Sequence, residues 1–351
     1  MPCICNGYAA LGPIVRIPID PEGSGATKTI RSVPRRRQAS PRPRLRSLIG
    51  ALVLACSIAW VPASQAALNI FTCQPEWAAL AKILAPNAVV FSATHARQDP
   101  HEIEARPALI SALRRADLAV CTGASLEDAW LPMLQKRAGN AKVLAGAPAM
   151  IYAAQSLPLL EDAHHHPARD KGHIHLAGNP HLQLDPRLLA IVAERLTGKL
   201  SEIDPQAAPL YRERLAQWQA GWQARIVQWQ QSAQSLFGQA VIAEHSSFAY
   251  LFRWLDMYQV SDLEPVPGVP PSLSHLHSLL QKARDDPPFA IVQTLYQNPQ
   301  PGSWLSQRLS VPLVALPTTV TADGETAHLE GLFDHIVRTL VEARRQKGEV
   351  R

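Results

Sequence analysis

Six of the thirteen histidines in this chain fall within residues 161–186, EDAHHHPARDKGHIHLAGNPHLQLDP. A histidine-rich tract is a compositional pointer to metal binding, because a neutral imidazole nitrogen is a good ligand for zinc and its neighbours. The tract divides into two parts. His164–His175 lies among Asp, Arg, Lys, Gly and Pro without hydrophobic periodicity, which predicts an exposed, mobile loop. His181 sits instead in Asn179-Pro180-His181, just ahead of Leu184-Asp185-Pro186, where Asp185 can cap a helix and Pro186 can occupy its first turn. Two further histidines, His101 and His245, are in similar settings next to a predicted strand end or helix start. A single histidine in such a place is more often a surface or capping residue. Three together, with a carboxylate near the last strand, would form a His₃-carboxylate site that suits Zn²⁺ and can also hold Mn²⁺ or Fe²⁺. The other histidines fit less well. His95 is a weaker alternative to His101, His275 and His277 are two apart on a helix and cannot share a face, and His335 reads as surface.

The elements that must position these side chains alternate. Strands are predicted at 68–73, 88–93, 118–122 and 142–144, with helices at 75–84, 108–115 and 126–137 between them. A helical stretch follows, with one helix at 186–200 and a second opening at Asp204-Pro205 and running to about Leu236. Tyr211, Leu215, Trp218, Trp222, Ile226 and Trp229 recur along it at steps of three and four, the mark of one apolar stripe packed in a core. Alternation then resumes: strand 240–243, helix 248–255, strand 260–265, helix 271–284, strands 289–292 and 311–316, and a closing helix 328–345. Strands alternating with helices indicate parallel sheets, and such sheets bind ligands at the carboxyl ends of their strands. The predicted fold is α/β, with two (β/α) lobes joined by a long rigid linking helix and the metal site in the cleft between them. The divisions are an N-terminal extension and signal peptide (1–66), an N-terminal lobe including the histidine-rich loop (67–184, loop 161–178), a helical linker (185–237) and a C-terminal lobe (238–351).

The chain has 351 residues and a formal charge of +5, but residues 1–66 hold nine Lys/Arg against two Asp/Glu. The rest is therefore slightly acidic, which argues against nucleic-acid binding by the folded body. In the N-terminal segment, Arg35-Arg36-Arg37 and Arg42, Arg44 and Arg46 precede an apolar run at 48–61. Ser64 and Ala66 then match a signal-peptidase site with Ala67 as the mature start, so the chain is expected to be exported. A rival reading takes Val53-Leu54-Ala55-Cys56 as a lipoprotein box. Cys73 and Cys121 each end a predicted strand. If those strands are neighbours the sulfurs can meet in an oxidising compartment; two buried thiols are the other reading.

The combination of motifs resembles the metal-binding substrate-binding proteins of bacterial ABC transporters, in the zinc/manganese cluster. The matching stretches are Gln98-Asp99-Pro100-His101, the run from Ala116 to Ala124, Gly178-Asn179-Pro180-His181, the run from Glu244 to Leu251, Leu263-Glu264-Pro265-Val266-Pro267-Gly268, and Leu316-Pro317-Thr318-Thr319-Val320. The resemblance implies two lobes, a long linking helix and one metal in the cleft, with His101, His181 and His245 as ligands. It also implies an Asp or Glu from a loop after a late strand. Asp323 has the best position for that role, followed by Glu325 and His328, although 321–326 departs from the family's glycine-rich wording there.

Carriage of an ion needs a closed coordination shell, whereas a hydrolytic zinc enzyme needs an open position, a bound water and a general base. Glu102, Glu104 and Glu244 lie beside the proposed ligands, where they could serve as that base or orient imidazole N–H groups. No His-Glu-x-x-His motif is present. The expectation is a periplasmic, non-enzymatic, monomeric zinc-binding protein that docks on an inner-membrane permease. Manganese or iron uptake, or a storage or adhesin-like role, are the alternatives. The histidine-rich loop tilts the choice of metal to zinc.

Overall fold

The structure is a computed structural model that describes residues 67–161, 178–265 and 268–349. The signal-peptide and lipoprotein readings and the His164–His175 arm lie outside the described residues.

Two four-stranded parallel sheets carry the fold. In the first, β1 (Asn69–Thr72), β2 (Val89–Ser92), β3 (Leu118–Cys121) and β4 (Met150–Tyr152) are ordered β2-β1-β3-β4. In the second, β5 (Ala240–Ala243), β6 (Tyr258–Asp262), β7 (Ala290–Thr294) and β8 (Leu313–Leu316) are ordered β6-β5-β7-β8, the same arrangement. β3, β5 and β7 are buried at every position, which explains why β3 and β5 read as continuous apolar runs rather than as alternating patterns. Helices α1 (Pro75–Leu84), α2 (Pro107–Arg115) and α3 (Leu131–Ala138) connect the first sheet. α6 (Ala249–Trp254), α7 (Leu273–Asp285) and α8 (Pro299–Leu309) connect the second, and α9 (Leu329–Glu349) closes the chain.

Between the sheets run α4 (Pro186–Ile203) and α5 (Ala208–Ser232). Asp185 caps α4 by accepting the Arg187 N–H at 3.0 Å, with Pro186 in the first turn, as the sequence predicts. The 25 residues of α5 span about 37 Å at 1.5 Å per residue, short of the thirty or so expected. Its buried stripe is Tyr211, Trp218, Trp222, Ile226 and Trp229, with Leu215 partly covered. Trp222 and Trp229 both pack against Phe333 of α9, with ring centroids 5.5 and 5.1 Å apart. One continuous core thus includes Ile70 and Trp77 of the first lobe and Val241 and Phe333 of the second. Among the described residues no helix is long and apolar enough to cross a membrane.

Three expectations need correction. Residues 141–143 form a 3-10 turn, and the fourth strand lies at Met150–Tyr152. Left-handed Gly139 ends α3, and the Asn140 side chain is committed to turn hydrogen bonds with Leu113, Ala116 and Lys142. The helix expected from Leu126 starts only at Leu131, because Gly123, Ala124 and Ser125 take positive φ and the Glu127 carboxylate accepts the N–H groups of Thr122 and Gly123. α8 was not foreseen, although Asn298 caps it at Gln300 N and Pro299 opens it.

Cys73 and Cys121, at the ends of the adjacent strands β1 and β3, are joined by a disulfide with Cα atoms 4.7 Å apart.

Candidate metal centre

His101, His181 and His245 converge from three separate segments. His101 follows β2 in a turn built by Asp99. Its Oδ1 accepts the His101 backbone N–H at 2.9 Å and lies 2.6 Å from the ring Nδ1. A proton held on Nδ1 by this carboxylate leaves Nε2 as the nitrogen that presents a lone pair, the usual arrangement behind a metal-binding histidine.

His181 is held by Asn179, whose Oδ1 accepts the His181 N–H at 2.9 Å. The Asn179 amide donates to the Ser246 carbonyl at 2.9 Å, and the Tyr250 hydroxyl donates to the Asn179 carbonyl at 2.8 Å while accepting the Leu160 N–H at 2.9 Å. The turn begins at Gly178, with φ +103°, where a Cβ would stand 2.8 Å from the Leu159 side chain. Glycine is therefore required on both conformational and steric grounds.

His245 leaves the end of β5 in extended backbone. All three rings are buried, at 4%, 2% and 9% exposure. Their centroids are 5.4, 6.2 and 5.9 Å apart, their planes are steeply inclined, and one ring nitrogen from each lies within 4.8 Å of the others. Nitrogens bound to a tetrahedral zinc at 2.0–2.1 Å would be about 3.4 Å apart, so a modest contraction converts this cluster into three corners of a coordination shell. The site requires both lobes, because His101 belongs to the first sheet's loops and His245 to the second's.

Asp323 does not join them. It is exposed on a loop that closes on itself, with Thr321 Oγ1 donating to the Asp323 carbonyl and Thr321 N donating to the Thr326 carbonyl. Glu325 is exposed and forms a two-pronged ion pair with Arg338 at 2.6 Å, and His328 is exposed as well. Glu102 and Glu104 also face outward. His95 is exposed and accepts the Arg97 N–H, while His277 meets the Trp304 ring edge to face. The remaining cluster, Cys73, Cys121 and Glu127, has its sulfurs in the disulfide and its carboxylate fully hydrogen-bonded.

Three carboxylates, Asp99, Glu244 and Glu264, stand on the same side of the site as His101 and His245. With His101, His245 and Tyr296 they line a cavity of about 500 Å³. Burial pushes the Glu244 carboxyl up to about 8, helped by the charge of Glu264, and burial likewise pushes Glu264 up to about 7. Asp99 and Glu264 lie within the motifs that carry the family resemblance, but their residue types alone assign them no role. The signal for Asp99 was its place two residues before a histidine, which is the spacing of an Asx turn.

The family described as zinc-uptake complex component A, periplasmic (ZnuA), matches residues 70–343. The chain belongs to that family. Among curated proteins, the high-affinity zinc uptake system protein ZnuA of Bacillus subtilis (strain 168) is 26% identical over 190 residues, which is 53% of this chain and 58% of that relative. The chain thus matches just over half the length of that ZnuA. A crystal structure of ZnuA superposes with a TM-score of 0.67 at 22% identity, covering 79% of this chain and 99% of the other. A cadmium-bound periplasmic metal-binding protein from Candidatus Liberibacter asiaticus gives 0.65 at 15% identity, covering 78% and 98%. These likenesses confirm the two-lobed α/β fold.

Proposed function

We propose that this ZnuA-family protein captures Zn²⁺ in the periplasm through His101, His181 and His245 and delivers it to the permease of an ABC-type importer. The observation that carries this reading is the convergence of three buried imidazoles from both lobes, with ligand atoms within 4.8 Å. Three nitrogen donors favour zinc over manganese, which prefers an oxygen-rich shell. Membership of a zinc-uptake family and the B. subtilis relative support the same metal. The role is carriage: an ion enclosed by side chains from two lobes can be held and then released when the lobes separate. Removal of the N-terminal segment at Ala67 belongs to the same reading, since the site must act outside the cytoplasm.

Calorimetric titration of metal-stripped protein with Zn²⁺ and then Mn²⁺, alongside His181→Ala, tests it. One tight zinc site that is lost in the variant is expected. Tight zinc binding that survives His181→Ala would exclude the three-histidine site.

A further inference from the structure

Glu244 and Glu264 stand side by side where two parallel strands end. The pairing of β5 with β6 runs to Ala243 and Asp262, and beyond it the Leu263 N–H donates to the Ala243 carbonyl at 2.7 Å and the Glu264 N–H to the Glu244 carbonyl at 3.1 Å. Both side chains therefore emerge at the carboxyl edge of the sheet, where parallel sheets bind ligands. Both line the cavity that also contains His101 and His245.

Glu244 is only 5% exposed, and its Oε2 has no hydrogen-bond partner. Buried polar atoms are almost always satisfied, and an exception at a site calls for a ligand. Glu264 Oε2 accepts the Gly268 N–H at 3.0 Å and lies 3.9 Å from His245 Nδ1. Among the described residues neither carboxyl is paired with a lysine or arginine. A cation entering the cavity would find these carboxyl oxygens uncommitted to any lysine or arginine, and would displace whatever protons they hold.

We propose that Glu264, with Glu244 beside it as a second negative charge, supplies the oxygen donor to the ion held by the three histidines, in place of the exposed Asp323. This rests on the reading of those histidines as the zinc site. A carboxylate 3.9 Å from His245 Nδ1 either reaches the ion itself or braces that ring, and the donor set of the bound metal separates the two. Zinc bound by neutral imidazoles keeps its full double charge, and two adjacent carboxylates cancel it. Asp323 would have to leave a self-closed surface loop to do the same.

Co²⁺ is the probe, because its visible bands report the donor set directly. Metal-stripped protein and the variants Glu264→Gln, Glu264→Asp, Glu244→Gln, Asp323→Asn and His181→Ala are loaded with Co²⁺, and Zn²⁺ affinity is measured by competition. Glu264→Gln is expected to shift the Co²⁺ bands and weaken Zn²⁺ at least tenfold. Glu264→Asp should retain part of both, which separates loss of the donor from loss of the fold. Glu244→Gln should weaken binding without moving the bands, and Asp323→Asn should change neither. Unmoved bands in Glu264→Gln overturn the proposal whatever happens to affinity, since Glu264 would then only orient His245; shifted bands in Asp323→Asn overturn it too. Tight binding in His181→Ala would be a failure of the three-histidine reading itself, visible whatever Glu264 does.

Discussion

The side-chain amide of Asn179 donates to the carbonyl of Ser246 at 2.9 Å, tying the turn that ends in His181 to the residue that follows His245. Two of the three imidazoles are therefore placed by one hydrogen-bonded side chain that is itself almost wholly buried.

Asn179→Ala removes that donor together with the acceptor for the His181 N–H, and it leaves a buried carbonyl and a buried amide unsatisfied. Stability should fall by about 1–3 kcal/mol. Zinc affinity should fall about 10–100-fold, as for other residues that orient metal ligands. Urea unfolding and calorimetry on the same preparation measure the two effects.

Asp99→Asn replaces the carboxylate that faces His101 Nδ1 with a neutral amide. It keeps the shape of the turn but loses the charge that makes the imidazole a stronger donor. A loss of about 10–100-fold in zinc affinity is expected, with apo-protein stability changed far less. Competition titration against a chelator reads the first, and thermal melting the second.

Glu76 is wholly buried, and its Oε2 accepts the Thr319 hydroxyl at 2.5 Å across the two lobes. Burial pushes its carboxyl, and that of Glu127, up to about 7. A folded value above the unfolded one means that the native state holds the extra protons between about pH 4.5 and 7. These groups therefore leave stability intact below that window and subtract from it as pH rises, by up to about 1.4 kcal/mol per pH unit each. Glu76→Gln, which cannot ionise, should lose less stability than the parent between pH 5 and pH 8. Denaturant midpoints at each pH for both proteins give the difference directly.

The disulfide closes a chain segment with a sequence separation of 48 residues. Replacing Cys73 and Cys121 by alanine should destabilise the protein by about 2–4 kcal/mol. The effect of a reductant on the melting temperature should disappear in the double variant.

Much of this was readable from the chain. α1 and β5 were bounded to the residue, since Pro75 and the run Ala240–Ala243 mark them locally. The three histidines were legible because each follows a strand or precedes a capped helix, positions that topology brings to one edge. The carboxylates were not legible. Whether Glu264 lies beside Glu244 depends on the register of β6 against β5, which shifts at a bulge between Val241 and Ile242. Nothing in the local sequence fixes a register between strands fifteen residues apart. The strand at Met150–Tyr152 was missed for a related reason. Three residues are too few to show a period, and the competing stretch 142–144 is taken up by the turn that Asn140 caps.

The indoles of α5 are stacked closely enough to have an optical consequence. Trp218 and Trp222 lie 4.9 Å apart and nearly parallel, and Trp222 and Trp229 lie 5.1 Å apart and steeply crossed, against Phe333. Chromophores this close couple their excited states, so the spine and its seating on α9 are expected to contribute strongly to the near-ultraviolet circular dichroism of the protein. One indole does touch the metal centre: Trp130 donates to the carbonyl of Pro100, next to His101, at 3.0 Å. Zinc titrations of a Trp130→Phe variant followed at those wavelengths therefore read, without any label, whether ion capture disturbs the joint between the spine and the second lobe.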